Sequence, residues 1–384
     1  MYHSLIDVPY GARVAEQDGG KEEINFFLKI GGNMYTYISQ DKPNRMRQPE
    51  LDLSKFIAII LMIACHCGTY FFEEGTVAYT IFDLIGSEFA APVFMVCMGV
   101  GVVFSKHNQP KLLINRGVKI LLFGYLLNVI RCIIPELVIY FVDESKLQFG
   151  PVMPFFIVDI LQFAGLALII MGFFKKLKVE PVYQLMIAIL FAGLGDVLAG
   201  ISTGYLWLDF ICDLIWGANQ ASLFPVLNWL VYPAAGVVFG EVLMHCSDKT
   251  ALYKRLLPIG LFGVALSYYL IFTDPNYYSH NIYYFMGIKN VVYGLCYPIL
   301  LFSICYFATY KNKLGDNRFI IYSTKNLNAL YCISWVAIMW IWYFAIILND
   351  FKVTYISFII LSIIVVAVSY GLCQIWLKIK KKMI

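Results

Sequence analysis

From residue 51 to residue 377, apolar runs of 18 to 25 residues alternate with short polar segments that carry most of the lysines. The runs cover 55–72, 87–105, 116–140, 152–174, 182–200, 223–244, 256–273, 287–309, 327–348 and 354–377. At 1.5 Å per residue, roughly 20 apolar residues span a hydrocarbon core of about 30 Å, so each run predicts one membrane-crossing helix. No stretch shows the short-period alternation of a membrane β-barrel. The fold class is therefore all-α, a polytopic membrane bundle of about ten transmembrane helices. Residues 1–50 are polar and mixed, without the apolar core of a signal peptide, and read as a cytoplasmic N-terminal tail. Residues 51–384 form the membrane domain. The segment 201–222 is nearly long enough to span, but counting it would move three later basic clusters to the wrong side. It reads as an external re-entrant or interfacial helix. Asp209 and Asp213, spaced i, i+4, share one face of it, a wetted face in preference to a sugar-binding one.

Composition agrees with this pattern and removes other classes. The chain is 60% hydrophobic and 14% charged, with a mean hydropathy of +0.72, against about 45–50% apolar and about 25% charged in soluble domains. Basic residues cluster at 42–47, 106–119, 175–178, 249–255, 311–325 and 378–382, while the opposite side has only Arg131, Lys146 and Lys352. That asymmetry reports orientation, not nucleic-acid binding, and places both termini in the cytoplasm. The ten cysteines lie mostly in apolar runs and read as small hydrophobes. Cys65-His66-Cys67 does not read as a metal site, because successive helical residues point about 100° apart.

Ionisable residues inside a bilayer are costly, so each is a functional candidate. His66 lies eleven residues after Lys55, about 16 Å along the first helix. A desolvated imidazole there serves as general base or acyl carrier, or else packs through a hydrogen bond to a neighbouring helix. Glu88, after an external loop with Glu73, Glu74 and Asp83, is a candidate partner for it. Asp159 and Gln162, spaced i, i+3, read as a polar lining or as interhelical glue. Asn326 and Asn328 open the ninth run, as lining or as caps. Lys55, Lys111, Arg116 and Lys119 lie at the basic ends of the first three helices and suit phosphates of lipid headgroups or of coenzyme A.

Several segments, taken in order, resemble the catalytic domain of the heparan-α-glucosaminide N-acetyltransferase family, within the transmembrane acyltransferases. Leu51-Asp52-Leu53-Ser54-Lys55-Phe56-Ile57-Ala58, running to Leu61-Met62, is similar to that family's LD-x-x-RG-x-A-x-x-LM, and His66 follows at the spacing of the histidine in bacterial members. Glu88, Pro92 and Met98-Gly99 follow, then Arg116-Gly117 to Asn128, Ile160-Leu161-Gln162, Phe224-Pro225 to Gly240, and Asn326 to Tyr331. The resemblance implies a bundle of ten or eleven helices that takes acetyl from cytoplasmic acetyl-CoA and delivers it across the membrane to a sugar amine or hydroxyl. It assigns His66 as catalytic centre with Glu88 as partner, and Lys55, Lys111, Arg116 and Lys119 to the acyl-CoA phosphates. Asp159, Gln162, Asn326 and Asn328 fall to the acceptor, an extracytoplasmic sugar or lipid-linked compound. Membrane lipid and a second copy of the chain complete the expected partners, and the bacterial cytoplasmic membrane is the expected location. Two departures stand out. Lys55 replaces the usual arginine, keeping the charge but losing the bidentate fork, and residues 70–87 lack the loop histidine of animal members. Without the resemblance, a proton-coupled transporter or flippase using His66 and Glu88 is the competing reading. The lack of an internal repeat counts against it.

Overall fold

The computed structural model describes residues 45–72, 76–150, 152–219, 221–273, 284, 287–348 and 355–383. Most of the expected N-terminal tail, together with Glu73, Glu74 and Lys352, lies outside them. The helices are α1 (Pro49–Phe71), α2 (Val77–Phe104), α3 (Pro110–Asn128), α4 (Ile134–Val142), α5 (Ile160–Lys176), α6 (Pro181–Leu198) and α7 (Leu206–Ile215). They continue with α8 (Val226–Trp229), α9 (Val231–His245), α10 (Lys249–Thr273), α11 (Ile288–Gly294), α12 (Cys296–Thr309), α13 (Arg318–Lys325), α14 (Leu327–Leu348) and α15 (Tyr355–Met383). Among the described residues there is no strand, only a single bridge between Val158 and Ser222. This is an all-helical membrane bundle. Nine helical stretches among the described residues are long and apolar enough to cross a membrane. Their outer faces carry exposed Leu122, Phe123, Leu190, Phe262 and Ile363, which suit lipid and not water.

Two expected spans differ most from the sequence reading. The run 152–174 becomes a 3-10 turn (Met153–Phe156) followed by α5, which has 17 residues and a length of roughly 25 Å. It begins late because Asp159 and Gln162 form a capping box at its N-terminus, a local hydrogen-bonding alternative to continued helix. α2 begins at Val77, ten residues before the run predicted from hydropathy, so Asp83 sits on a helix and not in a loop.

Prolines and glycines explain much of the local geometry. Pro49, Pro110 and Pro181 open their helices, where a missing N–H costs nothing. Pro135 acts differently. In an α-helix its N–H would bond the Arg131 carbonyl, and proline has none, so α3 reaches α4 through a π-turn over Val129–Ile133, closed by Ile134 N–H to Val129 O. α2 and α9 cross at Gly99 and Gly236. A Cβ at Gly236 would stand 2.1 Å from the Val96 carbonyl oxygen, and one at Gly99 2.0 Å from that of Pro233. Such close backbone approach is the usual way helices pack in lipid. Gly236→Ala is expected to lower stability by about 1–3 kcal/mol, the ordinary cost of overpacking. Thermal unfolding in detergent checks it, and an unchanged midpoint would show that the two helices part freely.

At the end of the bundle where α1 begins, Lys249 of α10 bonds both Glu50 and Gln48 of the first turn, and the Tyr253 hydroxyl donates to Glu50. Arg47 pairs with Asp52 and donates to the Gly315 carbonyl. These contacts fix the register of α1 and hence the depth of His66. α7 lies at the opposite end. Its Asp209 and Asp213 do share a face, but that face is buried and not wetted. Asp209 accepts from Ser202 and Thr203, and these bonds, the Ser202 hydroxyl first, hold its carboxyl below the ordinary range. Asp213 accepts from Asn219 but is pushed up by burial. The exposed face is apolar instead, with Leu206, Trp207, Leu208 and Ile211. An amphipathic helix of this kind suits the membrane interface.

Candidate active site

His66 is on α1, five residues before that helix ends, and its ring borders a cavity of about 280 Å3. α1 supplies Cys65, His66, Thr69 and Tyr70 to the wall, and α2 supplies Tyr79, Asp83 and Ser87. Arg131 comes from the π-turn, Asp159 from the cap of α5, and Leu223 and Phe224 from the segment before α8. Tyr284 and, on α14, Tyr331 and Trp335 complete it. Backbone bonds from Val158 N to Ala221 O and from Leu223 N to Val158 O, both 2.9 Å, tie the two loop walls together.

A buried polar cluster forms one side. The Arg131 guanidinium donates to Asp159 Oδ2 at 2.5 Å and to Asn128 Oδ1 at 3.0 Å. Asp159 also accepts from its own helix through Ile160 N (2.6 Å) and from the Tyr331 hydroxyl (3.1 Å). Asn128 is held in turn by donating to the carbonyls of Phe155 and Ile157. Arg131 and Asp159 are 3% and 4% exposed, so the pair is fully desolvated and each charge depends on the other. Sequence asymmetry counts Arg131 among the few cations of the opposite side, where it reports topology. The structure corrects this, because the π-turn directs it inward onto a carboxylate 28 residues further along. The guanidinium also lies 4.5 Å from the Trp335 ring centroid, over that ring, and Trp335 stacks on His66 with centroids 3.9 Å apart and planes 28° apart. The opposite wall has its own chain: the Ser87 hydroxyl donates to Asp83 (3.0 Å) and lies 3.5 Å from Cys65 Sγ.

The other predicted residues are dispersed. Glu88 is buried, yet one residue past Ser87 it points about 100° away. It does not border the cavity and is within electrostatic reach of Tyr232, Tyr268 and Tyr297. Gln162 is spent on the capping box, where its carbonyl oxygen accepts from Asp159 N. Asn326 donates to the Tyr322 carbonyl at the end of α13 and Asn328 is exposed; neither borders the cavity. Lys55 is ion-paired to Asp52 at 2.9 Å. Lys111, Arg116 and Lys119 are exposed on α3, which packs chiefly against α5, so the four basic residues share no wall with His66. Reasoning from sequence missed Arg131, Tyr331, Trp335 and Ser87. For Ser87 a signal was present, since Asp83 and Ser87 are spaced i, i+4 on one helical face.

Orphaned polar atoms mark the region around the cavity. Among the described residues, His66 Nδ1, Arg131 Nε and Trp335 Nε1 are buried without a hydrogen-bond partner. Buried polar groups are nearly always bonded, and a catalytic role is one of the explanations for an exception. Against this geometry, the family model described as "Heparan-alpha-glucosaminide N-acetyltransferase, catalytic" matches residues 47–274. The match takes in α1 to α10, and with them His66, Asp83, Arg131 and Asp159, but not α14 with Tyr331 and Trp335. No curated protein and no solved structure matches the chain.

Proposed function

The chain belongs to the heparan-α-glucosaminide N-acetyltransferase catalytic family, and on that premise we propose that it moves acetyl from cytoplasmic acetyl-CoA to an amine or hydroxyl of an extracytoplasmic glycan or lipid-linked acceptor. Membership makes it a multi-pass membrane acetyltransferase. The observation that carries the finer reading is the position of His66, deep in α1 and bordering a cavity with polar walls. We orient the basic end of the bundle to the cytoplasm, as the lysine asymmetry supports. The cavity then lies beyond the bilayer middle, within reach of an acceptor on the far side.

The residues present suit the reacting ends of both substrates. A cavity of about 280 Å3 holds an acetyl thioester and part of a sugar, not a whole coenzyme. The nucleotide would lie toward the basic end, where Lys55 and the α3 cations are the candidate phosphate partners. Bound acetyl-CoA would supply a polarised thioester carbonyl. His66 takes the proton that the acceptor nitrogen or oxygen gives up as its bond to the acyl carbon forms, and passes it to the sulfur as the carbon–sulfur bond breaks. Asp83 and Ser87 face the same space and offer hydrogen bonds to sugar hydroxyls or an amine. The ion-paired Arg131 and Asp159 shape the site without being free to transfer protons.

Purified protein given acetyl-labelled coenzyme A and a glucosamine-terminated acceptor is expected to form labelled product. If neither protein nor acceptor becomes labelled, and His66→Ala alters nothing measured in cells, the reading is wrong. Substrate uptake into proteoliposomes driven by a pH gradient, with no thioester present, would favour transport instead.

A further inference from the structure

We propose that Trp335 is the positioning residue of His66, fixing the imidazole plane by stacking where most catalytic histidines are oriented by a carboxylate. The inference rests on the reading of His66 as the catalytic base. A histidine's outer torsion is soft, so some neighbour must select the plane of its ring. Usually one ring nitrogen donates to a carboxylate or carbonyl that does this. Here Nδ1 is buried with no hydrogen-bond partner among the described residues, and Glu88 does not border the cavity. The close contact that remains is flat: the indole of Trp335 lies 3.9 Å from the imidazole centroid, at 28°.

The indole is itself held firmly. Trp335 is 6% exposed, Tyr70 meets it edge-on at 5.9 Å and 82°, and the Arg131 guanidinium lies 4.5 Å from its centroid. Arg131 cannot drift, because Asp159 and Asn128 bond it. The chain of restraint therefore runs from Asp159 through Arg131 and Trp335 to His66. Its aromatic link comes from α14, beyond the residues that the family model matches. Stacking has a chemical consequence that a carboxylate would not: it sets the ring plane without committing either nitrogen to an acceptor, so accepting a proton and releasing it break no hydrogen bond to the orienting group.

The experiment compares Trp335→Leu, Trp335→Met and Trp335→Phe as monodisperse detergent-purified proteins, with kcat and the KM for acetyl-CoA measured separately. Misplacing a catalytic group by about 1 Å costs up to about 100-fold. The expected result is a 10- to 100-fold loss of kcat in the Leu and Met variants, KM within about threefold of wild type, and recovery of most of kcat in Trp335→Phe. The proposal is overturned if the aliphatic variants keep kcat within threefold, if the loss lies wholly in KM, or if Phe is as slow as Met. Having two aliphatic variants guards against one that fails to fold. His66→Ala separates the two claims. If it is inactive while Trp335→Met is normal, positioning alone fails; if it is fully active, the catalytic reading fails as well.

Discussion

Replacing His66 by alanine is expected to lower acetyl transfer by about 10²- to 10⁴-fold, the range that a positioned general base contributes. The loss should fall on kcat, because the imidazole acts on a proton in flight and not on substrate affinity. His66→Gln, closer in size, separates chemistry from packing: it should be almost as slow as alanine while unfolding at nearly the wild-type temperature. A variant with a normal rate would move the chemistry elsewhere in the cavity, Asp83 being the next group able to accept a proton there. Single-turnover rates with labelled acetyl-CoA give the comparison directly, since slow product release can hide a chemical step.

Arg131→Ala is expected to destabilise the folded protein by about 3–5 kcal/mol, the cost of leaving one partner of a buried ion pair uncompensated. The orphaned group would be the Asp159 carboxylate, 4% exposed and left with the Ile160 and Gln162 N–H groups and the Tyr331 hydroxyl, none of them a cation. Asp159→Ala should cost a similar amount, because it strands the guanidinium and also removes the capping box of α5. The double change Arg131→Met with Asp159→Leu is expected to recover part of the loss, since well-packed apolar residues often replace such a pair without penalty. Denaturant titrations in a fixed detergent test this. Equal stability of Arg131→Ala and wild type would mean that water or lipid headgroups reach Asp159. Activity should not return in the double variant, because the support beneath Trp335 is gone.

Parts of this site are legible in the sequence. A lone histidine in an apolar run is costly enough to draw notice, and its spacing from Lys55 joins it to a known pattern. Asp159 and Gln162 are visible as a polar pair on one face, although their capping role depends on where α5 starts, which hydropathy alone does not say. Arg131 misleads for a physical reason. A cation near the predicted end of a span ordinarily reaches water along its own flexible chain, and nothing in Val129–Ile133 announces the π-turn that directs it inward. Glu88 misleads in the opposite way, since an error of one position on a helix turns a side chain by about 100°. Trp335 carries no signal at all: beside Trp340 and Trp342 it resembles an interfacial aromatic.

What the sequence by itself determined is most of the spanning helices, their approximate positions and the class of protein. In lipid each segment must bond its own backbone, so hydropathy and length decide a span with little reference to its neighbours. The family, too, is carried by local motifs, the first of them running from Leu51 to His66. The tertiary structure alone decided which polar side chains meet. Arg131, Asp159, Tyr331 and Trp335 converge on the cavity beside His66 from three separate segments. Their burial is tolerable only because each finds a partner far away in the chain, and a requirement met between distant segments leaves no period or composition to read.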